Sequence, residues 1–145
     1  MSRYVVFDFE SASKCDLLKS GAWKYAQDFS TFLTYVGFKL VENNMPRPTR
    51  VIWGPGINKL DPELYELASD PSVMFVAHNC SFEIGMWREH MVPLGYPDIP
   101  NERWHDTMAV AAMKSLPLGL DPLTKALDTS VQKDMEGHRV MMKVS

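Results

Sequence analysis

The sequence is poor in cysteine, with only Cys15 and Cys80 among 145 residues. Two cysteines are too few for a disulfide framework, and they lack the paired spacing of a zinc knuckle. These counts exclude a disulfide-stapled secreted domain and a small zinc module. Both side chains are expected to be unreactive thiols in a reducing cytoplasm.

Long hydrophobic runs are also missing. The one strongly apolar stretch near the start, Tyr4–Phe9, is far shorter than the roughly 20 residues that a membrane-spanning helix needs, and acidic residues follow closely. The sequence therefore predicts a soluble, cytoplasmic protein with no membrane partner.

Neither sign of charge is in strong excess, with 18 acidic against 15 basic residues. A protein that holds long nucleic acid by neutralising many phosphates needs a clear positive excess, so that class is disfavoured. An enzyme that grips a few nucleotides is still allowed. Because 46% of the residues are hydrophobic, the chain can bury a core, and residues 1–145 are predicted to form a single domain.

No glycine-rich phosphate loop follows the first apolar segment, which argues against a dinucleotide-binding fold. That segment, Tyr4–Glu10, is apolar on both alternating faces and predicts a central strand covered on both sides. Residues 11–30 predict a loop with a short helical turn. The turn cluster Asn43–Pro48 separates strands at Thr31–Val41 and Arg50–Trp53, which predicts an antiparallel hairpin beside the first strand.

Helices and strands alternate in the second half of the chain. Asp61 and Pro62 supply an N-cap and a first-turn proline, which together signal a helix start. The elements expected there are a helix over 61–69, a strand at Val73–Ala77, a helix from Asn79 that stops at Pro93 and Gly95, a strand at Arg103–Thr107, and helices at Met108–Ser115 and Asp121–Leu127. The order predicts an α/β fold with a mixed sheet of about five strands, the first three antiparallel, and flanking helices.

Two acidic residues lie at the end of the first strand. Residues two apart in a strand share a face, so Asp8 and Glu10 project together, where α/β sheets usually bind ligands. Two carboxylates this close repel unless one is protonated or a divalent cation lies between them, and oxygen ligands suit Mg²⁺ or Mn²⁺. The alternative is a strand end that runs into solvent.

A second polar cluster begins the helix after the later strand. Asn79 and Glu83 are four residues apart, so they lie on one helix face and offer an amide and a carboxylate to one point. The alternative is structural, with Asn79 or Ser81 capping the helix and Glu83 interacting with the positive end of its dipole.

The joint pattern resembles a known family. A strand ending in Asp8-x-Glu10, a second leading into Asn79-x-x-Phe82-Glu83, and a later Trp-His-Asp-Thr-Met segment are similar to the DnaQ-like exonuclease superfamily, specifically the proofreading domain of bacteriophage-type family A DNA polymerases. The segments that carry the phage-type resemblance are Phe7–Ser11, Val76–Asn79, Arg103–Ala109 and Lys133–Arg139.

The resemblance implies a ribonuclease H-like fold and a 3′–5′ exonuclease that releases nucleoside monophosphates from single-stranded DNA 3′ ends, in a bacterial cell or a phage-infected host. Asp8, Glu10 and Glu83 would be the catalytic residues and would hold two Mg²⁺ or Mn²⁺ ions. Glu83 stands where the wider family has Asp. A DNA polymerase domain or subunit is the implied protein partner.

The resemblance also suggests roles for the neighbouring side chains. Asn79 would contact the terminal nucleotide or orient the carboxylates. Phe9 and Phe82 would pack near the splayed-out end, with core packing as the alternative for both. Asp106 and Thr107 would support the site without binding metal.

The family's third motif does not follow Arg103–Ala109. It would be a Tyr followed four residues later by Asp, or a His followed five residues later by Asp. The chain is therefore expected to lack the C-terminal helix that carries this motif, as a fragment, a split product or a degenerate relative. Three hypotheses remain: a DNA exonuclease, a module that binds DNA ends or a polymerase without cleaving, and an RNA exonuclease of the same superfamily.

Overall fold

A computed structural model describes residues 2–131, 134–136 and 139–140. Its sheet has six strands in the order β3-β2-β1-β5-β6, with β4 also paired to β2. The strands are β1 (Arg3–Ala12), β2 (Phe32–Glu42), β3 (Met45–Pro46), β4 (Arg50–Trp53), β5 (Met74–Ala77) and β6 (Trp104–Asp106). The helices are α1 (Leu17–Gln27), α2 (Pro62–Ser69), α3 (Cys80–Met86), α4 (Thr107–Met113) and α5 (Leu120–Ala126).

The predicted α/β class with a mixed sheet is confirmed. β1 pairs with β2 antiparallel and with β5 parallel, so it lies in the middle of the sheet as expected. The hairpin partner β4 pairs antiparallel with β2, and the two-residue β3 brings the strand count to six rather than about five. Of the described residues, none belongs to a helix long and apolar enough to cross a membrane.

The expectation that β1 is covered on both sides is wrong. Val5, Phe7 and Phe9 are at most 3% exposed, whereas Val6 is 44% exposed and Asp8 is solvent-accessible. Helices pack on the face that carries Val5, Phe7 and Phe9. The sequence of a strand with apolar residues on both faces does not show which face is covered by other elements, so the prediction of two covered faces was wrong.

The buried face of the sheet holds an aromatic cluster centred on Trp87, which is fully buried. Its ring centroid lies 5.6 Å from Phe7, 5.8 Å from Phe75 and 5.6 Å from Tyr96, in edge-to-face contacts. Such contacts add roughly 0.5–1.5 kcal/mol each to the apolar burial. The cluster fixes α3 against β1 and β5, the two strands that lead into the acidic residues.

The segment between β1 and β2 contains a longer helix than the short turn expected. Asp16 caps α1 by accepting hydrogen bonds from the backbone N–H groups of Leu18 and Lys19. Gly21, at φ 81°, kinks the helix in a conformation that favours glycine. This kink interrupts the 3.6-residue period, so the pattern from 11 to 30 does not resemble a continuous helix.

The helix after β5 changes its winding as it proceeds. α3 continues into a π-helical turn at Trp87–Met91 and a 3₁₀ turn at Val92–Leu94, and Gly95, at φ 111°, ends it as predicted. The predicted start of α2 is confirmed too, because Asp61 accepts a 3.0 Å hydrogen bond from the N–H of Leu64. Within the segment Lys133–Arg139 singled out from the sequence, residues 133, 137 and 138 lie outside the described residues.

Candidate active site

A cavity of about 810 Å³ opens where β1 ends and α3 begins. β1 brings two acidic side chains to it, and the β5–α3 junction brings the amide and the third carboxylate. The predicted residues that line it are Asp8, Phe9, Glu10, Asn79, Phe82 and Glu83. The two sequence clusters therefore meet at one place, whereas Asp106 and Thr107 are not among the residues that line the cavity.

Asp8 and Glu10 lie on the same face of β1, as the strand period predicts. The pKa of Asp8 is raised to about 6, mainly because surrounding protein removes part of its hydration and secondly because the Glu10 carboxylate repels its charge. Asp8 still has access to the solvent of the cavity. A nearby positive charge would therefore stabilise the ionised form of this carboxyl group.

Glu83 is the most buried of the three carboxylates, with 3% of its surface exposed. Within the described part of the chain its Oε2 atom has no hydrogen-bond partner. Burial raises the pKa of Glu83 to about 8, and the charges of Asp8, Asp106 and Glu10 add to the effect. A buried carboxyl oxygen without a partner costs free energy, so a donor or cation that reached Oε2 would stabilise the folded chain.

The chemistry of these donors suits a hard divalent cation, since all are carboxylate oxygens joined by the amide of Asn79. Over residues 2–131, 134–136 and 139–140, however, no group of three or more His, Cys, Asp or Glu side chains is arranged to hold a metal. The carboxylates share the cavity without forming a closed cage.

Asp106 acts on the backbone around the site. Its Oδ1 accepts hydrogen bonds of 2.9 Å from the N–H of Asn79 and of 2.9 Å from the N–H of Met108. The first bond holds Asn79 at φ 69°, a left-handed conformation that asparagine tolerates better than most residues. The second bond caps α4, so one carboxylate ties the start of α3 to the start of α4.

Thr107 and His78 form a structural pair beside the cavity. The Nε2 of His78 lies 2.6 Å from the carbonyl oxygen of Leu118, which can only accept, so Nε2 carries a proton. Nδ1 lies 2.9 Å from the hydroxyl of Thr107. Both ring nitrogens therefore have partners within the protein.

The two phenylalanines at the cavity are packed against the core. Phe9 is 3% exposed, with its ring 4.7 Å from Phe7, and Phe82 lies 5.9 Å from Tyr25. Tyr25 itself reaches the cavity, where its hydroxyl is 2.9 Å from that of Ser11. The short helical turn expected over residues 11–30 offers no reason to place Tyr25 at the cavity.

Comparison with known proteins adds to this geometry. The chain is 30% identical over 132 residues to a DNA polymerase of Bacillus phage SP02. It superposes on NrnC of Brucella melitensis with a TM-score of 0.59 at 18% identity over 90% of the chain. The chain has a DnaQ-like exonuclease fold. The resemblance inferred from the sequence is confirmed.

A third similarity supports the DnaQ-like fold. Exonuclease I of E. coli, solved with a dT13 oligonucleotide, matches 87% of the chain with a TM-score of 0.59 at 11% identity. NrnC has also been solved with Mg²⁺ and with the dinucleotide pGG. No family model matches the sequence.

The chain is much shorter than the proteins it resembles. It spans 19% of the phage polymerase, 55% of NrnC and 36% of Exonuclease I. Sequence identity to these solved structures is below 20%, so the similarity to them concerns the fold.

Proposed function

We propose that this DnaQ-like domain is a metal-dependent 3′–5′ exonuclease that removes nucleoside monophosphates from single-stranded DNA ends, as the proofreading module of a phage-type or bacterial DNA polymerase. The observation that carries the proposal is the meeting of Asp8, Glu10 and the buried Glu83 at one cavity. The sequence likeness to a phage DNA polymerase supports the polymerase context.

The three carboxylates would hold Mg²⁺ or Mn²⁺, two ions in all. The unpartnered Oε2 of Glu83 and the raised pKa values of Asp8 and Glu83 fit a site that gains stability from added positive charge. When bound, such ions lower the pKa of an attacking water and neutralise charge on the leaving oxygen. The structure of NrnC with bound Mg²⁺ agrees with this choice of metal.

The chain's own residues would position the strand end. Asn79 presents its amide to the cavity and would contact the terminal nucleotide, while its backbone is held by Asp106. Phe9 and Phe82 close the inner wall and exclude water behind the carboxylates. Thr107 would support the site through its hydrogen bond with His78, without binding metal.

The test is degradation of a 5′-labelled single-stranded DNA oligonucleotide with Mn²⁺. Asp8→Asn should lower the rate roughly a thousandfold or more, because metal ligation supplies several kcal/mol of transition-state stabilisation. Asp98→Asn, which changes an exposed carboxylate in the loop after α3, is the matched control and should retain the rate. Equal rates for Asp8→Asn and wild type would sink the proposal.

Binding of Mn²⁺ gives a second readout that does not depend on cleavage. Mn²⁺ should raise the melting temperature of the wild-type chain, and a chelator should reverse the rise. The rise should be smaller in Asp8→Asn. A wild-type chain that is not stabilised by millimolar Mn²⁺ would count against the proposed metal site.

A second function has its own support. The described carboxylates form no preassembled metal cage. This observation favours a module that binds DNA ends or a polymerase without cleaving. Single-strand binding without metal-dependent shortening of the oligonucleotide would select this function. Parallel DNA and RNA substrates separate the third hypothesis, an RNA exonuclease, since the 2′-hydroxyl is the difference.

A further inference from the structure

The sheet has an open face, defined here as the side of β1, β2 and β4 that carries Asp8 and Glu10. Side chains alternate along each strand, so the register decides which residues share this face. Glu10 pairs with Tyr35 of β2, and Tyr35 pairs with Trp53 of β4. The three residues therefore form one row across three neighbouring strands, which begins at the candidate active site.

The two aromatic residues in this row are accessible. Tyr35 is 43% exposed and Trp53 is 65% exposed. Directly opposed residues in an antiparallel pair have Cβ atoms about 5 Å apart, so the two side chains start from neighbouring positions. Two large exposed aromatic side chains at neighbouring positions of a sheet surface are unusual for a strand that only needs to stay soluble. We call this pair, Tyr35 and Trp53, the platform; it lies next to Glu10.

The row beside this platform leaves room above the sheet. Asp8 pairs with Gly37, and a Cβ added at Gly37 would come no closer than 3.8 Å to another atom, the backbone oxygen of Asp8. A glycine inside a strand often marks close approach by a ligand. Lys39, one pair further along and opposite Val6, supplies a positive charge on the same face.

We propose that Tyr35 and Trp53 bind the unpaired bases that precede the terminal nucleotide of a single-stranded DNA. This proposal rests on the proposed function, because it takes the cavity at Asp8 and Glu10 as the place where the 3′ end lies. Aromatic rings stack on any base, which suits a strand of arbitrary sequence. Gly37 leaves the space next to Tyr35 open, and Lys39 adds a positive charge to the same face on the side of Gly37 away from the platform.

Continuity with the cavity is what favours a nucleic-acid strand as the occupant. The platform is in register with Glu10, so a strand whose end reaches the carboxylates passes over Tyr35 first and Trp53 second. Phe9 cannot serve these bases, because it is buried on the other face of the sheet. A protein segment on the same face is the competing occupant, and the experiment separates the two.

The experiment measures the dissociation constants of fluorescent dT10 and dT2 by anisotropy, with Ca²⁺ in place of Mn²⁺. Tyr35→Thr and Trp53→Thr remove the rings and keep a residue that favours strands. Each should weaken dT10 binding roughly 5- to 100-fold. Trp53→Thr should leave dT2 binding unchanged, because the one base that precedes the terminal nucleotide of dT2 lies over Tyr35 and does not reach Trp53. Tyr65→Ala is the matched control, since Tyr65 is also 43% exposed but lies on α2.

A decamer with abasic sites before its 3′-terminal nucleotide completes the design. It should bind the wild-type chain as weakly as dT10 binds the variants, and the substitutions should cost nothing further. Equal dT10 affinity in all chains, an equal loss for dT10 and dT2 in Trp53→Thr, or a wild-type chain that binds no decamer would each overturn the proposal. The melting temperature of each variant checks that the sheet is intact.

Cleavage measured separately with Mn²⁺ distinguishes this proposal from the function on which it rests. Asp8-dependent cleavage with unchanged dT10 affinity in the Tyr35 and Trp53 variants would contradict the proposed platform and support the exonuclease. Ring-dependent dT10 binding without Asp8-dependent cleavage would support the platform and contradict the exonuclease, because the platform then belongs to a DNA-binding module.

Discussion

The two faces of the sheet differ in what they contribute. The buried face of β1 carries Val5, Phe7 and Phe9 under Trp87, whereas the open face carries Val6, Asp8 and Glu10. Alternation along one strand therefore places the stabilising contacts and the candidate chemistry back to back, a single residue apart. The contrast teaches that substitutions on the two faces should affect different properties, stability on one and ligand binding on the other.

The largest effect on stability is expected on the buried face. Trp87→Ala should lower the free energy of unfolding by about 3–5 kcal/mol, because it empties the centre of the aromatic cluster. Trp53→Ala on the open face is the matched control, and it should cost less than about 1 kcal/mol. Urea denaturation measures both. Similar losses for the two tryptophans would break the comparison between the faces.

Most of the fold was predictable from local signals. Asp61 and Pro62 marked the start of α2, and the turn cluster before Arg50 indicated the antiparallel hairpin of β2 and β4. These signals are short-range, so they survive in a single sequence. The π-helical turn at Trp87–Met91 was not predictable, because its residues also fit an ordinary helix.

The candidate site was predictable in its carboxylates but not in its surroundings. Spacing alone places Asp8 beside Glu10 and Asn79 beside Glu83. The position of Tyr35 next to Glu10 depends on strand register, which a pattern of side chains within one strand does not determine. The hydroxyl of Tyr25 at the cavity depends on the kinked helix α1, whose period Gly21 interrupts.

The next effect is a pH dependence of stability without metal. The folded-state pKa values of Glu83 and Asp8 are raised to about 8 and about 6, so the folded protein holds more protons than the unfolded one. The contribution of these two groups to stability should therefore be greatest below pH 4 and fall as the pH rises, through about 6 for Asp8 and about 8 for Glu83. One pKa unit corresponds to about 1.4 kcal/mol, so the loss from Glu83 is a few kcal/mol at most.

Glu83→Gln sharpens this prediction, because it removes the buried charge and keeps the shape. Without metal, the variant should melt higher than wild type at pH 8, and only the fall below pH 6 should remain. Thermal denaturation between pH 4 and pH 9 measures both curves. Parallel curves for variant and wild type would show that Glu83 is not the titrating group.

A smaller effect is expected where the site joins the backbone. Asp106→Ala removes the cap of α4 and the bond to the N–H of Asn79, and it should cost about 1–2 kcal/mol. Asp16→Ala removes the cap of α1 alone and serves as the comparison. The Asp106 variant should also lose Mn²⁺ stabilisation. A loss confined to melting temperature, with Mn²⁺ stabilisation intact, would limit Asp106 to a structural role.

The smallest effect is expected at Tyr25, which belongs to the buried core and also lines the cavity. Tyr25→Phe keeps the packing against Phe82 and removes only the hydrogen bond to Ser11, so about 0.5–1.5 kcal/mol should be lost. Ser11→Ala should give a similar loss, and the double variant should not be additive. Additive losses in urea denaturation would mean that the two hydroxyls act separately.

The register between β1 and β2 has a consequence for changes in chain length. Glu10 pairs with Tyr35, but the next residue, Ser11, pairs with Leu33, so Thr34 is an extra residue in β2. Leu33 is buried while Tyr35 is exposed, and deletion of Thr34 would keep each on its own side. A one-residue deletion elsewhere in β2 would instead turn every later side chain over. Position 34 is therefore the place where β2 can lose a residue without exchanging the side chains of its buried and exposed faces.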